Sequence, residues 1–180
     1  NFNNIKLKKN ILSVGASVLD INLSKFATKN SIKGFEFLSG IPGTIGGAIK
    51  MNAGCYGSET SDKLKRVLVI NKYGNIKYLN SNKLKLEYRS SNIDDYTFIL
   101  QADFEYEYSS SDEIIDKNNY IKLKRQTSQP IKEKTSGSTF KNPPGKFAAK
   151  LIERAGCKGL KVGGASISLV HSNFIINNGK

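Results

Sequence analysis

Residues 40–57 read GIPGTIGGAIKMNAGCYG, with six glycines, one proline and a single charged residue, Lys50. Glycine loses more backbone freedom on folding than any other residue, so such a cluster persists where φ must be positive or where something approaches the main chain closely. Two readings fit. The run can be a pair of consecutive turns, with Pro42 preset for the second position of one and Gly43 free to take positive φ. It can also be a cradle in which N–H groups, unobstructed by side chains, converge on phosphate oxygens. It is not a Rossmann fingerprint, because no GxGxxG follows a first strand.

Other reactive groups are few. Cys55 and Cys157 have no metal-type spacing, and one pair so far apart in sequence makes a weak disulfide case, so reduced thiols and no metal site are expected. The only histidine, His171, lies in VHSNFIIN beside an apolar run and reads as structural, not as an acid or base.

The net charge is +13, from 28 Lys and Arg against 15 Asp and Glu. A nucleic-acid footprint should cluster on one face, with arginine or aromatics interleaved to grip phosphates and bases. Here the excess is nearly all lysine, spread along the chain, and the arginines are only Arg66, Arg89, Arg125 and Arg154. A nucleic-acid-binding module is therefore the weaker alternative, although a basic background suits an anionic nucleotide ligand. No run approaches the roughly 18 apolar residues of a membrane span, and NFNNIKLKKN lacks the apolar segment of a secretion signal. A cytoplasmic protein with no membrane association and no obligatory protein partner is expected.

The elements that must hold these residues can be read from periodicity. Residues 11–14 form a short apolar run. Ser17 and Asp20 then have capping-box spacing ahead of Leu19, Leu23, Phe26 and Ala27, predicting a helix that ends near Asn30. Residues 66–70 and 76–79 flank NKYGN as a hairpin, and 98–106 alternate like a half-buried strand. A helix is predicted over 112–125, stopped by TSQP at Pro130. The loop KEKTSGSTFKNPPG is too rich in Gly and Pro for regular structure. Phe147, Ala148, Leu151, Ile152 and Ala155 form a helical face closed by Gly156, and VGGASIS and NFIIN read as short strands. Strands and helices mix without βαβ alternation, which makes the fold class α+β. The domain boundary is expected near residue 126, giving domains 1–126 and 127–180.

Three stretches in series, GIPGTIGGAIKMNAGCYGSE at 40–59, YRSS at 88–91, and SGSTFKNP at 136–143 followed by AAKLIERAGCKGLKVGGASIS, resemble the UDP-N-acetylenolpyruvoylglucosamine reductase (MurB) family of peptidoglycan synthesis. The likeness is greatest to the shorter type common among alphaproteobacteria. It implies an FAD-binding fold similar to the vanillyl-alcohol oxidase type flavoproteins, followed by part of a small α+β substrate-binding domain. It further implies reduction of UDP-N-acetylglucosamine enolpyruvate by hydride passed from NADPH through FAD.

By the same resemblance Gly40, Ile41, Pro42, Gly43, Thr44, Gly46, Gly47 and Ala48, with Asn52 and Gly54, are the cofactor-binding positions. Ser138 is the proton donor to the substrate carbon, and Arg89 is the cation that meets the carboxylate side. Tyr56, Tyr88 and Asn142 are substrate-binding. A serine is a poor acid in water, so this role requires a hydroxyl held at short range with little solvent competition. A fixed guanidinium suits a carboxylate on which charge develops.

Some family features find no match. The N-terminal glycine-rich segment and the C-terminal catalytic glutamate are absent, so the resemblance implies a fragment lacking both ends that binds FAD weakly and turns over little by itself. Ser128 stands where some members place a substrate-binding lysine. A flavoprotein of the same fold with another substrate is the nearer alternative, and the YR and GSTFKNP strings argue against it.

Overall fold

The computed structural model describes residues 2–179. They fall into two compact units, Asn1–Ile121 and Lys122–Lys180.

The first unit contains β1 (Ile5–Lys8), β2 (Ile11–Gly15), α1 (Asp20–Lys29), β3 (Ile32–Lys33), α2 (Ile45–Lys50), β4 (Gly54–Cys55), β5 (Ser58–Glu59), β6 (Leu64–Ile70), β7 (Ile76–Asn80), β8 (Phe98–Phe104) and β9 (Glu107–Tyr108). A 3₁₀ turn over Glu36–Gly40 leads into the glycine-rich segment. Five strands form an antiparallel sheet in the order β1-β2-β8-β6-β7. Adjacent rows of this sheet have opposite character because side chains alternate faces. Val14, Ala102 and Val67 lie in register and are fully buried. They face a core shared with Leu23 and Ala27 of α1 and Ile45 and Ile49 of α2. Phe35 closes that core edge-on against Phe104, with ring centroids 5.6 Å apart.

The neighbouring row is polar: Ser13, Asp103 and Arg66. Asp103 is buried and accepts hydrogen bonds from Ser13 Oγ at 2.7 Å, Arg66 Nε at 2.8 Å and Gln101 Nε2 at 3.0 Å. Burial works against its ionisation, but these donors and the Arg66 charge outweigh it and hold the carboxyl below the usual range. The sheet thus has an apolar inner face and a reverse face fixed by one fully satisfied carboxylate.

The hairpin of β6 and β7 forms around NKYGN as expected, with Asn71 Oδ1 accepting from the Tyr73 and Asn75 N–H groups and Gly74 at φ 82°. The capping box expected from Ser17 and Asp20 does not form. Leu19 is the N-cap of α1 and gives no side-chain cap, and tertiary contact takes over that job, since Asp20 N–H donates to the Gly43 carbonyl at 3.1 Å. Helix α3 (Ser111–Ser128) is longer than the predicted 112–125 and ends before Pro130; the division between the units falls within it.

In the second unit β10 (Thr135–Ser138), β13 (Phe174–Asn177), β12 (Ala165–Ile167) and β11 (Lys161–Val162) form an antiparallel sheet in that order, and α4 spans Ala148–Arg154. The segment expected to be an irregular loop therefore includes a strand. Its glycine explains why: Gly137 takes φ 88° where the register with β13 shifts between Thr135 and Ser138, so the strand pairs through a bulge. Among the described residues, no helix is long and apolar enough to cross a membrane.

The Asp20 carboxyl is among the buried groups of the first unit that are unsatisfied. Asp20 is 1% exposed and neither carboxylate oxygen has a hydrogen-bond partner. Burial pushes its pKa up from 3.8 to about 7. The folded state therefore holds a proton that the unfolded chain releases near pH 4, so Asp20 costs nothing below pH 4 and becomes progressively destabilising as pH rises towards 7. Asp20→Asn is expected to stabilise the protein above pH 7 by on the order of 4 kcal/mol and to have no effect at pH 4. Urea midpoints followed by tyrosine fluorescence, which reports only the first unit because all eight tyrosines lie in it, check this.

Candidate functional site

The glycine-rich segment is tied to the chain that precedes it by main-chain bonds. Ile45 N–H donates to the Val18 carbonyl and Gly46 N–H to the Ala16 carbonyl, both at 2.9 Å, and Leu19 and Thr44 form an antiparallel bridge. Gly47 N–H reaches Thr44 Oγ1 at 3.5 Å. The first-turn donors of α2 are therefore engaged within the protein and are not an open phosphate cradle. The glycines serve close approach instead. A Cβ on Gly46 would lie 3.3 Å from Ala16, one on Gly43 2.9 Å from Asp20 Oδ2, and one on Gly54 2.6 Å from the Ser58 carbonyl and Glu59 Cβ. Gly47 differs. It is exposed, and the only atom near its would-be Cβ is Thr44 Oγ1 at 3.8 Å, so its bare backbone faces outward with Pro42 and Gly43. Ile45, Ala48 and Ile49 are buried beneath.

Asn52 and Tyr56 both have positive φ, 42° and 54°. Asn52 is buried. Its Oδ1 accepts from Ser61 N–H at 3.0 Å, while its Nδ2 is buried without a hydrogen-bond partner. Tyr56 and Gly57 (φ 80°) are the two central residues of the β4–β5 hairpin. Two positive φ values in a two-residue loop give the type I′ geometry that matches strand twist. That position ordinarily takes Asn or Gly. Here it carries a tyrosine that is 38% exposed.

Tyr88 and Arg89 likewise form the tip of a tight turn. The Glu87 and Ser90 main chains exchange two bonds of 3.1 Å, and Arg89 takes φ 51°. Arg89 Nη1 is buried with no hydrogen-bond partner, as is Ser91 Oγ. The segment that follows is anchored to α2: Lys50 Nζ donates to the Ile93 carbonyl and pairs with Asp95 at 3.0 Å, and Ile93 is buried in the core. Periodicity gave no sign of this link. Lys50 is the one charge in the glycine-rich run, and that isolation was the only available signal.

Ser138 belongs to the second unit. It ends β10 and is exposed. Asn142, also in the second unit, accepts the Ala148 N–H at 2.9 Å through Oδ1 and so receives the first turn of α4. His171 Nδ1 accepts the Asn173 N–H at 3.2 Å, and its ring packs edge-on against Phe174, which gives it a structural task. A hollow of about 790 Å³ in this unit, bounded by Pro130, Ile131, Lys161, Ile167 and Leu169, includes neither Ser138 nor Asn142.

For a flavin dinucleotide the first unit offers an outward-facing backbone surface at Gly43 and Gly47 and an amide donor on Asn52 without a partner. These residues fit such a ligand through shape and side-chain donors, more than through the free main-chain N–H groups of a helix end.

Residues 1–80 match the family model described as FAD binding domain, and residues 129–180 match the one described as UDP-N-acetylenolpyruvoylglucosamine reductase, C-terminal domain. The chain is similar to the UDP-N-acetylenolpyruvoylglucosamine reductase of Rickettsia conorii, with 48% identity over 99% of this chain and 61% of the relative. It is 46% identical to the Rickettsia massiliae reductase with the same coverage. Among solved structures it is similar to the reductase (MurB) from Thermus caldophilus, at 37% identity and a TM-score of 0.91, covering 99% of this chain and 65% of that one. The chain thus spans 61% of the length of the curated relatives it matches. Both family models occur in order, and the likeness to UDP-N-acetylenolpyruvoylglucosamine reductases runs through both units.

Proposed function

We propose that the chain forms part of an FAD-dependent, NADPH-consuming oxidoreductase that reduces UDP-N-acetylglucosamine enolpyruvate to UDP-N-acetylmuramate. The observation that carries this reading is Arg89. It is held with positive φ at the tip of a tight turn and its Nη1 is buried without a partner, which supports the carboxylate-binding role that the resemblance of the YR string implies. A buried guanidinium donor left unpaired costs free energy, and a non-glycine residue at positive φ adds more. Both costs are offset when an anionic oxygen arrives at that donor.

FAD, when bound, supplies the hydride, which it takes from NADPH. Gly47 leaves room for its approach, and Asn52 would donate to it. Arg89 binds the substrate carboxylate and stabilises the charge that builds there as hydride adds to the neighbouring double bond. The other alkene carbon then carries the electron pair, and the Ser138 hydroxyl delivers its proton there. By the family resemblance, Tyr56, Tyr88 and Asn142 bind the sugar nucleotide.

Rapid-mixing experiments separate the two half-reactions. Ser138→Ala is expected to leave flavin reduction by NADPH intact and to slow sugar reduction by on the order of 10²- to 10⁴-fold. Normal sugar reduction in this variant would remove Ser138 from the mechanism. Arg89→Ala is expected to cost about 10²- to 10³-fold in the same half-reaction. Tyr56→Asn should move stability and ligand affinity in opposite directions. Relief of the left-handed strain stabilises the fold by about 1 kcal/mol, while the KM for the enolpyruvyl nucleotide rises. Denaturation midpoints and steady-state kinetics on the same preparation read both.

A further inference from the structure

We propose that Asn173 is the positioning residue for Ser138, a clamp on the main chain directly after it. This rests on the reading that Ser138 works on the substrate. Ser138 is the last residue that the β10–β13 ladder pairs, opposite Phe174, and nothing in the ladder holds the chain beyond it. The β10–β13 register shifts between Thr135 and Ser138, and the segment beyond runs through Pro143, Pro144 and Gly145, all exposed. Asn173 continues the hold where the ladder ends. Its carbonyl accepts from Thr139 N–H at 2.8 Å, its Oδ1 accepts from Phe140 N–H at 2.9 Å, and its Nδ2 donates to the Phe140 carbonyl at 2.8 Å.

The side-chain amide thereby behaves like one more residue of a strand, satisfying the main-chain donor and acceptor of the same residue, Phe140, across 33 residues of sequence. Only an amide of this length offers both groups in one plane.

The clamp is itself held. Asn173 is 4% exposed, and its N–H donates to His171 Nδ1 at 3.2 Å. Ser168 Oγ accepts from the Val170 and His171 N–H groups at 3.0 and 3.2 Å, fixing the turn that carries both residues. The support therefore runs from Ser168 through His171 and Asn173 to Phe140, two residues past the hydroxyl. A reacting group displaced by about 1 Å loses on the order of 10²-fold in rate, so the clamp acts on turnover without touching substrate.

The test compares Asn173→Ala, Ser138→Ala and the double variant, each loaded with FAD and mixed first with NADPH and then with UDP-N-acetylglucosamine enolpyruvate. Asn173→Ala is expected to leave flavin reduction unchanged and to slow sugar reduction about 10²-fold. The double variant should be no slower than Ser138→Ala alone, because both substitutions remove one function. Amide exchange of Thr139 and Phe140 should accelerate while Ile167 and Ile175, paired across β12 and β13, stay protected. Sugar reduction at the wild-type rate in folded Asn173→Ala, or losses that multiply in the double variant, would overturn the proposal. If Asn173→Ala unfolds the second unit, Asn173→Asp takes its place; it keeps the acceptor for Phe140 N–H and drops the donor, and a wild-type rate there is equally fatal. Should Ser138→Ala itself reduce the sugar normally, the functional reading fails instead, and exchange at Thr139 and Phe140 still decides whether the clamp exists.

Discussion

The first unit depends on a short set of main-chain contacts by which residues 43–46 lie against residues 16–20. Three hydrogen bonds, Asp20 to Gly43, Ile45 to Val18 and Gly46 to Ala16, tie the two segments together, and the close approach is possible because position 46 has no side chain. Everything nearby is referred to that seam. It starts α1 where no capping side chain does, it seats Ile45 and Ile49 of α2 in the core beneath the sheet, and it turns the exposed backbone of Pro42, Gly43 and Gly47 outward. Through Lys50, at the far end of α2, the same seam reaches the segment that follows Arg89.

Against this well-satisfied framework the exceptions are informative. Asp103 shows how the fold treats a buried carboxylate that serves structure alone, with three donors around it. Asp20, Asn52 Nδ2, Arg89 Nη1 and Ser91 Oγ are buried and have none. Three of the five non-glycine residues with positive φ among those described, Asn52, Tyr56 and Arg89, are also site positions implied by the family resemblance. Unsatisfied donors and strained backbone persist only where the surroundings enforce them, and they cluster where a ligand gives something back.

Much of the fold was legible in the sequence because it follows local rules. The β6–β7 hairpin is announced by NKYGN, α4 by its apolar spacing and Gly156, and the end of α3 by Pro130. What was hidden depends on partners distant in sequence. The capping spacing of Ser17 and Asp20 was overridden by a carbonyl at Gly43, and β10 escaped notice because its pairing with β13 needs a bulge at Gly137. The site residues came from motif resemblance, which names positions but not their supports. Neither Lys50 behind Arg89 nor Asn173 behind Ser138 has a signature in its own neighbourhood. The glycine run was legible as a place of close approach, while the direction of that approach, inward at Gly46 and outward at Gly47, required the packing.

The strand order has a consequence for how the polypeptide acquires its shape. Strand β8 lies between β2 and β6, and Ser13 bonds to Asp103 across 90 residues. Until residues 98–104 have left the ribosome, the β1–β2 and β6–β7 hairpins each keep open the edge that β8 later fills, and neither can complete the sheet with the other. Synthesis therefore carries a long interval in which two half-sheets wait for their centre strand. Such non-local closure is slow, and exposed edges are the places where chains join one another by mistake. The last strand to emerge in the five-stranded sheet is the one that removes this hazard from both halves at once.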